Sequence, residues 1–200
     1  MNSKILNELP YIELFDSFLS KDEIESMNLD LLTFEPSRGA KPSGISVVDD
    51  HRTSQTYYVD EPQFSFLKNK TINLLKKYLP NIEYNCLEDI QITKYQKDQY
   101  YKEHWDFFNV PPINNETNDR IATFIMYLND GFEGGETYFP DLDLRVIPKT
   151  GSAIYFQYNY QGFVKNLKTK HIGETVTAGT KYIATIWIRN EDCKNDKNNR

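Results

Sequence analysis

The chain reads as an α+β protein whose β part is a sandwich or jelly roll, with helices gathered ahead of the strands. Three observations carry that reading. Helical spacing is confined to the first part of the 200 residues, short β-branched and aromatic runs follow from Cys86 onward, and Gly, Pro, Asn and Asp clusters separate those runs. Residues 11–15 read as a short strand. Ser20, with Glu23 three residues on, fits a capping box that opens a helix running to about Leu32. Residues 45–58 are β-branched and aromatic but irregular, a strand with a loop. From Gln63 to Leu79, apolar residues at Phe66, Leu67, Ile72, Leu74, Leu75 and Leu79 keep helical spacing, so a helix should stop before Pro80. The strands expected after it are 89–95, 121–128, 137–139, 144–147, 152–156, 171–176 and 182–189, with turns at 129–135 and 148–151. Residues 190–200 are polar and expected to fray.

Composition narrows the class. Two hundred residues suit one domain: helical support over about 1–85, a β core over about 86–190 and a polar tail at 191–200. A hydrophobic content of 39%, with 14% aromatics, excludes a disordered chain. The formal charge of -6 and pI near 5.2 argue against general affinity for nucleic acid or anionic membranes, although a local basic groove stays compatible. Residues 1–10 hold no long apolar run and no stretch could span a bilayer, which points to the cytoplasm. Cys86 and Cys193 make neither a disulfide framework nor a structural zinc site; the plain reading is two unpaired thiols in a reducing compartment.

The chemistry concentrates in a few residues. Of three histidines, His104 stands two before Asp106 and His171 comes late in the chain, with Lys181 ten residues beyond it. A His-x-Asp pair plus a distant His is the ligand set of the facial triad that holds non-haem Fe(II) and leaves other positions open. On an extended segment His104 and Asp106 project to one side, so both can reach one ion. His171 must arrive on a neighbouring strand. Lys181 could fix the far carboxylate of a bound dicarboxylic acid. Zinc competes for the same donors, but the cation and the lack of a general-base motif favour iron. His51 fits no ligand position and reads as structural or surface. Residues 109–119, with two prolines and four asparagines, read as a lid or binding loop, or else a solvated connection.

Taken in order, these motifs resemble the Fe(II)/2-oxoglutarate dioxygenases of the prolyl 4-hydroxylase type, and the likeness covers nearly all of the chain. It is strongest from Glu88 to Arg189, with an echo at residues 11–20 and at Arg52-Thr53-Ser54. Residues 91–106 resemble the family's strand leading into the metal pair. Residues 120–129 and Gly134-Gly135-Glu136-Thr137 resemble its central hairpin; residues 148–151, His171 and 179–188 complete the pattern. The resemblance implies a double-stranded β-helix, a jelly roll with N-terminal helices packed against one sheet. It implies His104, Asp106 and His171 as iron ligands, and Lys181 as the partner of the distal carboxylate of 2-oxoglutarate. Tyr95 and Thr137 match positions that hydrogen-bond to that co-substrate, and Trp187 matches one that walls its pocket. Tyr127 is a further candidate there, or core packing. Tyr101 and Arg120 match positions implicated in peptide binding, and Arg52 lies near the substrate groove or in a polar loop.

Two departures bear on the peptide rather than the iron. Arg189 stands where prolyl hydroxylases often carry a substrate-holding histidine, which makes it a substrate-side candidate, and Gln157 replaces a common aromatic. The implied cofactors are Fe(II), 2-oxoglutarate and O2, with ascorbate as reductant. The implied reaction is hydroxylation of peptidyl proline, as in procollagen-proline 4-dioxygenases, with release of succinate and CO2. The expected partner is a Pro-rich or extended peptide. Lysine at the anchor, where many relatives use an arginine fork, favours this branch over lysyl hydroxylases and nucleic-acid demethylases. The alternatives are an iron/2-oxoglutarate oxygenase of another side chain or small molecule, and a non-enzymatic binding module of the same fold. The complete triad with Lys181 speaks against the module.

Overall fold

Projection of successive side chains to opposite faces of extended segments decides how this chain layers. The computed structural model describes residues 2–40, 46–48, 50–59, 64–107, 120–160 and 164–189. The principal strands are β1 (Ser3–Asn7), β2 (Ile12–Phe15), β3 (Glu35–Pro36), β4 (Gln55–Tyr58), β5 (Gln91–Tyr95) and β6 (Tyr101–His104). They continue as β7 (Arg120–Tyr127), β8 (Thr137–Phe139), β9 (Leu144–Val146), β10 (Ala153–Gln157), β11 (His171–Gly173) and β12 (Lys181–Arg189). A large sheet runs β1-β2-β10-β7-β12-β5-β4-β3, and a small one runs β9-β8-β11-β6. Neighbours such as β7 and β12 are remote in sequence and antiparallel, the connectivity of a jelly roll. The fold is the double-stranded β-helix that the resemblance implied.

Two apolar clusters follow from the period of two. Phe124, Met126, Ala184, Ile186 and Ile188 project from β7 and β12 into one cluster, beneath the helices. Ile125, Tyr127 and Ile183 point the other way and meet Phe139 and Val146 of the small sheet. The helices are α1 (Lys21–Glu25) and α2 (Ser65–Leu75). Leu67, Ile72 and Leu75 of α2 bury against the large sheet.

Several elements differ from expectation. The capping box at Ser20 and Glu23 is present, but α1 ends at Glu25 instead of near Leu32. Asn28 takes a left-handed φ of 49° and the chain passes into a 3-10 turn at Leu29–Leu31. α2 ends at Leu75, and the Leu79 amide still donates to the Leu75 carbonyl in a closing turn before Pro80. Its expected start at Gln63 lies outside the described residues, as do 109–119, 190–200 and Cys193.

The expected strand 171–176 is two. β11 pairs with the small sheet, while Val176–Ala178 pairs with Glu133–Gly134. Between them the Gly135 amide donates to the Thr175 carbonyl. A Cβ at Gly134, where φ is +70°, would fall 2.3 Å from that same Thr175 oxygen, so only glycine fits. β1 and β3 were not anticipated, and β6 was foreseen only as the extended segment leading to His104; β4 lies inside the irregular segment 45–58, and the remaining strands shift by at most two residues at their ends. Among the described residues no helix is long and apolar enough to cross a membrane.

Candidate metal centre and co-substrate pocket

Strand pairing assembles the centre. β6 and β11 lie antiparallel with His104 and His171 as register partners, which brings their ring centroids to 4.2 Å. β6 ends at His104, so Asp106 reaches the same point from a bend, not from the extended segment first expected. Its Oδ1 lies 3.5 Å from His104 Nε2 and its Oδ2 3.7 Å from His171 Nε2. The three donor atoms sit within 4.8 Å of one another.

Each donor is held from behind. His104 Nδ1 is 2.8 Å from the Lys102 carbonyl and His171 Nδ1 is 3.0 Å from that of Thr169. A carbonyl only accepts, so Nδ1 carries the proton and each Nε2 presents a lone pair to the centre. Thr123 donates from Oγ1 to Asp106 Oδ2 at 2.6 Å. Burial pushes the His171 imidazole down to about 4, so it is neutral at pH 7, as a ligand must be. Burial acts to raise the Asp106 carboxyl, but the adjacent imidazoles and the Thr123 hydroxyl hold it well below the ordinary range. Two imidazoles and one carboxylate converging on one point fit Fe(II).

The pocket continues from this centre to Lys181. Tyr95, Thr137, Lys181 and Trp187 share its wall with the three donors. Lys181 is 2% exposed; its Nζ donates to the Gly135 carbonyl at 2.6 Å and lies 5.1 Å from the centre of the Tyr95 ring. Burial pushes its ammonium down to about 8, against the opposing pull of Glu136 and Glu174. Tyr127 stands behind the wall and donates to Thr137 Oγ1 at 2.9 Å, with its own hydroxyl pushed up by burial. Trp187 Nε1 is buried with no hydrogen-bond partner among the described residues, a donor that a ligand could satisfy.

The substrate-side candidates form two groups. Arg120 makes a two-pronged bond to Glu88 at 2.8 and 2.7 Å, donates to the Asp106 carbonyl at 3.0 Å and lies 3.9 Å over the Trp187 ring. Its register partner Arg189 donates to the same Glu88 at 2.6 Å. Burial acts to raise the Glu88 carboxyl, but the two guanidinium groups hold it below its usual value. In the second group the Tyr101 ring stacks on His104 at 3.5 Å, and Arg52 lies 4.8 Å over Tyr101. Burial pushes the Tyr101 phenol up to about 12, so it stays protonated. His51 meets the edge of the Tyr101 ring at 5.7 Å.

Sequence reasoning missed Glu88 and Thr123. A single acid before a strand carries no signal of its own, whereas Thr123, alone among apolar neighbours at 121–127, is visible in hindsight as a polar group turned inward.

Comparisons with known proteins agree with this geometry. The sequence pattern of the 2OG-Fe(II) oxygenase superfamily matches residues 90–189. A putative prolyl 4-hydroxylase of Acanthamoeba polyphaga mimivirus is 36% identical over 115 residues, 54% of this chain and 48% of that protein. Prolyl 4-hydroxylase 1 of Arabidopsis thaliana is 28% identical over 205 residues, 93% of this chain and 71% of that protein. The viral collagen prolyl hydroxylase of Paramecium Bursaria Chlorella virus-1, solved as its 2OG complex, superposes with a TM-score of 0.70 at 27% identity, covering 92% of this chain and 98% of that one. The chain spans about half the length, or less, of the first curated relatives it matches, 48% and 42%.

Proposed function

The chain belongs to the 2OG-Fe(II) oxygenase superfamily, and we propose that it hydroxylates peptidyl proline, consuming 2-oxoglutarate and O2 and releasing succinate and CO2. The observation that carries the reading is the buried ammonium of Lys181 in one pocket with the His104, Asp106 and His171 donors. A buried cation calls for an anion, and a dicarboxylate that also meets the metal satisfies it. Its assignment to proline rests on relatives named prolyl 4-hydroxylases. We assign residues 1–200 to one oxygenase domain.

In this reading His104 Nε2, Asp106 and His171 Nε2 hold the iron. Bound there with 2-oxoglutarate, it supplies the oxidising power that places one atom of O2 on a substrate carbon. Lys181 holds the distal carboxylate, the hydroxyls of Tyr95 and Thr137 donate to the co-substrate, and Trp187 walls it off from water. Tyr127 acts through Thr137, which it fixes in place. Arg120 steadies the Asp106 backbone while leaning on Trp187, and with Arg189 and Glu88 it shapes the rim that a peptide crosses. Tyr101 and Arg52 form the opposite rim. Ascorbate serves as the reductant, and the substrate is an extended, Pro-rich peptide.

The test is mass spectrometry of a Pro-rich peptide library after incubation with the protein, Fe(II), 2-oxoglutarate and ascorbate. A gain of one oxygen on proline is expected, absent with His171→Ala while that variant keeps its circular dichroism. Succinate release with no change on proline would move the substrate elsewhere. Near wild-type turnover by His171→Ala would sink the ligand assignment.

A further inference from the structure

Arg52 is a buried cation whose partners among the described residues are all neutral. Its residue is 6% exposed. Nε donates to Ser54 Oγ at 3.2 Å, and Nη2 donates to Gln91 Oε1 at 2.6 Å and Thr93 Oγ1 at 3.0 Å. The guanidinium faces the Tyr101 ring at 4.8 Å. No carboxylate among the described residues pairs with it, and Nη1 enters none of these bonds. Arg52 lines the same pocket as His104, Asp106, His171 and Lys181.

Scarcity of acids does not explain this. The chain has 29 acidic residues against 23 basic ones, and it places Glu88 against Arg120 and Arg189. A desolvated guanidinium without a counter-charge is costly, and such a group persists where an incoming ligand completes it. Hydroxyls, an amide and a ring fix the fork in one orientation while leaving its charge uncancelled.

The position says whose carboxylate it is. Gln91 and Thr93, which hold Arg52, lie opposite Thr185 and Ile183 in the β5–β12 register, whereas Lys181 lies opposite Tyr95. Arg52 is therefore displaced from the co-substrate anchor along the strands, toward the end that carries Arg120 and Arg189. The stack of Arg52 on Tyr101 and Tyr101 on His104, at 4.8 and 3.5 Å, keeps the guanidinium within two to three residues of extended peptide (~3.3 Å each) from the metal-side imidazole.

We propose that Arg52 receives a substrate carboxylate, so that this pocket selects peptides carrying a negative charge within about three residues of the oxidised position. The inference rests on the reading of the pocket as a peptide oxygenase site and adds the charge class of its substrate. A side-chain carboxylate and a chain-terminal one share the chemistry.

The experiment uses peptide pairs of equal length around a proline, with Glu or Gln at each position from -3 to +3, each made with a free or an amidated C-terminus. For turnover by the full chain with Fe(II) and 2-oxoglutarate, one position should favour Glu over its Gln isostere by ~10- to 150-fold in kcat/KM, the worth of one charge-assisted bond. The ratio should shrink with salt, fall to near one in Arg52→Gln and survive in part in Arg52→Lys. A preference that follows the free terminus instead assigns the site to a chain-terminal carboxylate. Wild-type ratios near one at every position and both termini overturn the proposal, whatever the variants do. The same pairs are titrated by tryptophan fluorescence against the Zn(II)-loaded protein with 2-oxoglutarate, which does not turn over. Discrimination in binding without oxidation of any proline would overturn the prolyl reading and leave Arg52 its role. Equal binding of Glu and Gln peptides would overturn the role of Arg52 alone.

Discussion

Successive residues of the central strands face two different interiors. On β12, Ala184, Ile186 and Ile188 turn toward the helices, while Lys181, Thr185 and Trp187 turn toward the pocket. On β7 the same split sets Ala122, Phe124 and Met126 against Thr123 and Ile125. On β5 it sets Ile92 against Gln91 and Tyr95. The helix-facing side needs only close packing, so its energetics are those of buried apolar surface. The pocket side buries hydroxyls, imidazoles and charges, each of which must find a partner or await one. A single strand thus supplies stability on one face and chemistry on the other, and changes made one residue apart should separate the two.

The largest effect belongs to the helix-facing side. Phe124 is 0% exposed and packs on Phe18 and Phe15 at ring distances of 4.8 and 6.0 Å. Phe124→Ala should cost about 3–5 kcal/mol of stability. At roughly 2–4 °C per kcal/mol that is a fall of ~6–20 °C in Tm. Affinity for 2-oxoglutarate, measured by calorimetry well below that Tm, should stay within about twofold of wild type. A parallel loss of affinity would mean the two faces are coupled through the sheet.

The same comparison explains what the sequence disclosed. Short, nearly continuous apolar runs rich in β-branched and aromatic residues at 121–127 and 182–188 are visible in one segment, so β7 and β12 were legible to within a residue. The convergence of His104, Asp106, His171 and Lys181 on one pocket was legible because few residue types suit the chemistry proposed for them and their order is constrained. Glu88 was not, since its meaning depends on Arg120 and Arg189, which are 32 and 101 residues away. The division of 171–178 was hidden for a similar reason: Thr175 leaves the small sheet because a distant glycine amide captures its carbonyl. Local pattern reveals which face a residue takes; long-range pairing decides what it meets there.

Next in size is the anchor on the pocket side. Lys181→Ala should weaken 2-oxoglutarate binding by about 10- to 150-fold, the worth of one charge-assisted bond at roughly 1.5–3 kcal/mol, and leave metal affinity nearly unchanged. Lys181→Arg should recover only part, because a longer planar fork replaces a compact ammonium at an enclosed position, 2% exposed, where Nζ already donates to the Gly135 carbonyl. The pH dependence has a definite sign. In the free protein burial lowers this pKa from 10.5 to about 8, so between those values the unfolded chain binds more protons than the folded one. The contribution of Lys181 to stability therefore rises with pH across that window. The proposed pairing with 2-oxoglutarate uses the ammonium, so binding should weaken over the same window. Urea midpoints and calorimetry at pH 7.5 and 9.5 should move in opposite directions in the wild type, with neither Lys181-dependent change in Lys181→Ala.

The smallest effect is the sharpest test, because it sits beside Phe124 on the same strand. Thr123 is 0% exposed, and its hydroxyl donates to Asp106 Oδ2 at 2.6 Å. Thr123→Val keeps the β-branched shape that suits the strand. It removes one donor from a buried carboxylate that two imidazoles already flank. Residues that orient a metal ligand typically contribute 10- to 100-fold in affinity. Thr123→Val should lose about that much Mn(II) or Fe(II) affinity, or roughly 1.4–2.7 kcal/mol. Losing the bond also raises the Asp106 carboxyl, so the acid limit of metal binding should move to higher pH. Its urea midpoint should shift far less than that of Phe124→Ala. The inverse pattern, a large loss of stability with metal affinity intact, would show that Thr123 serves the core and that Asp106 is oriented by the histidines and its own backbone.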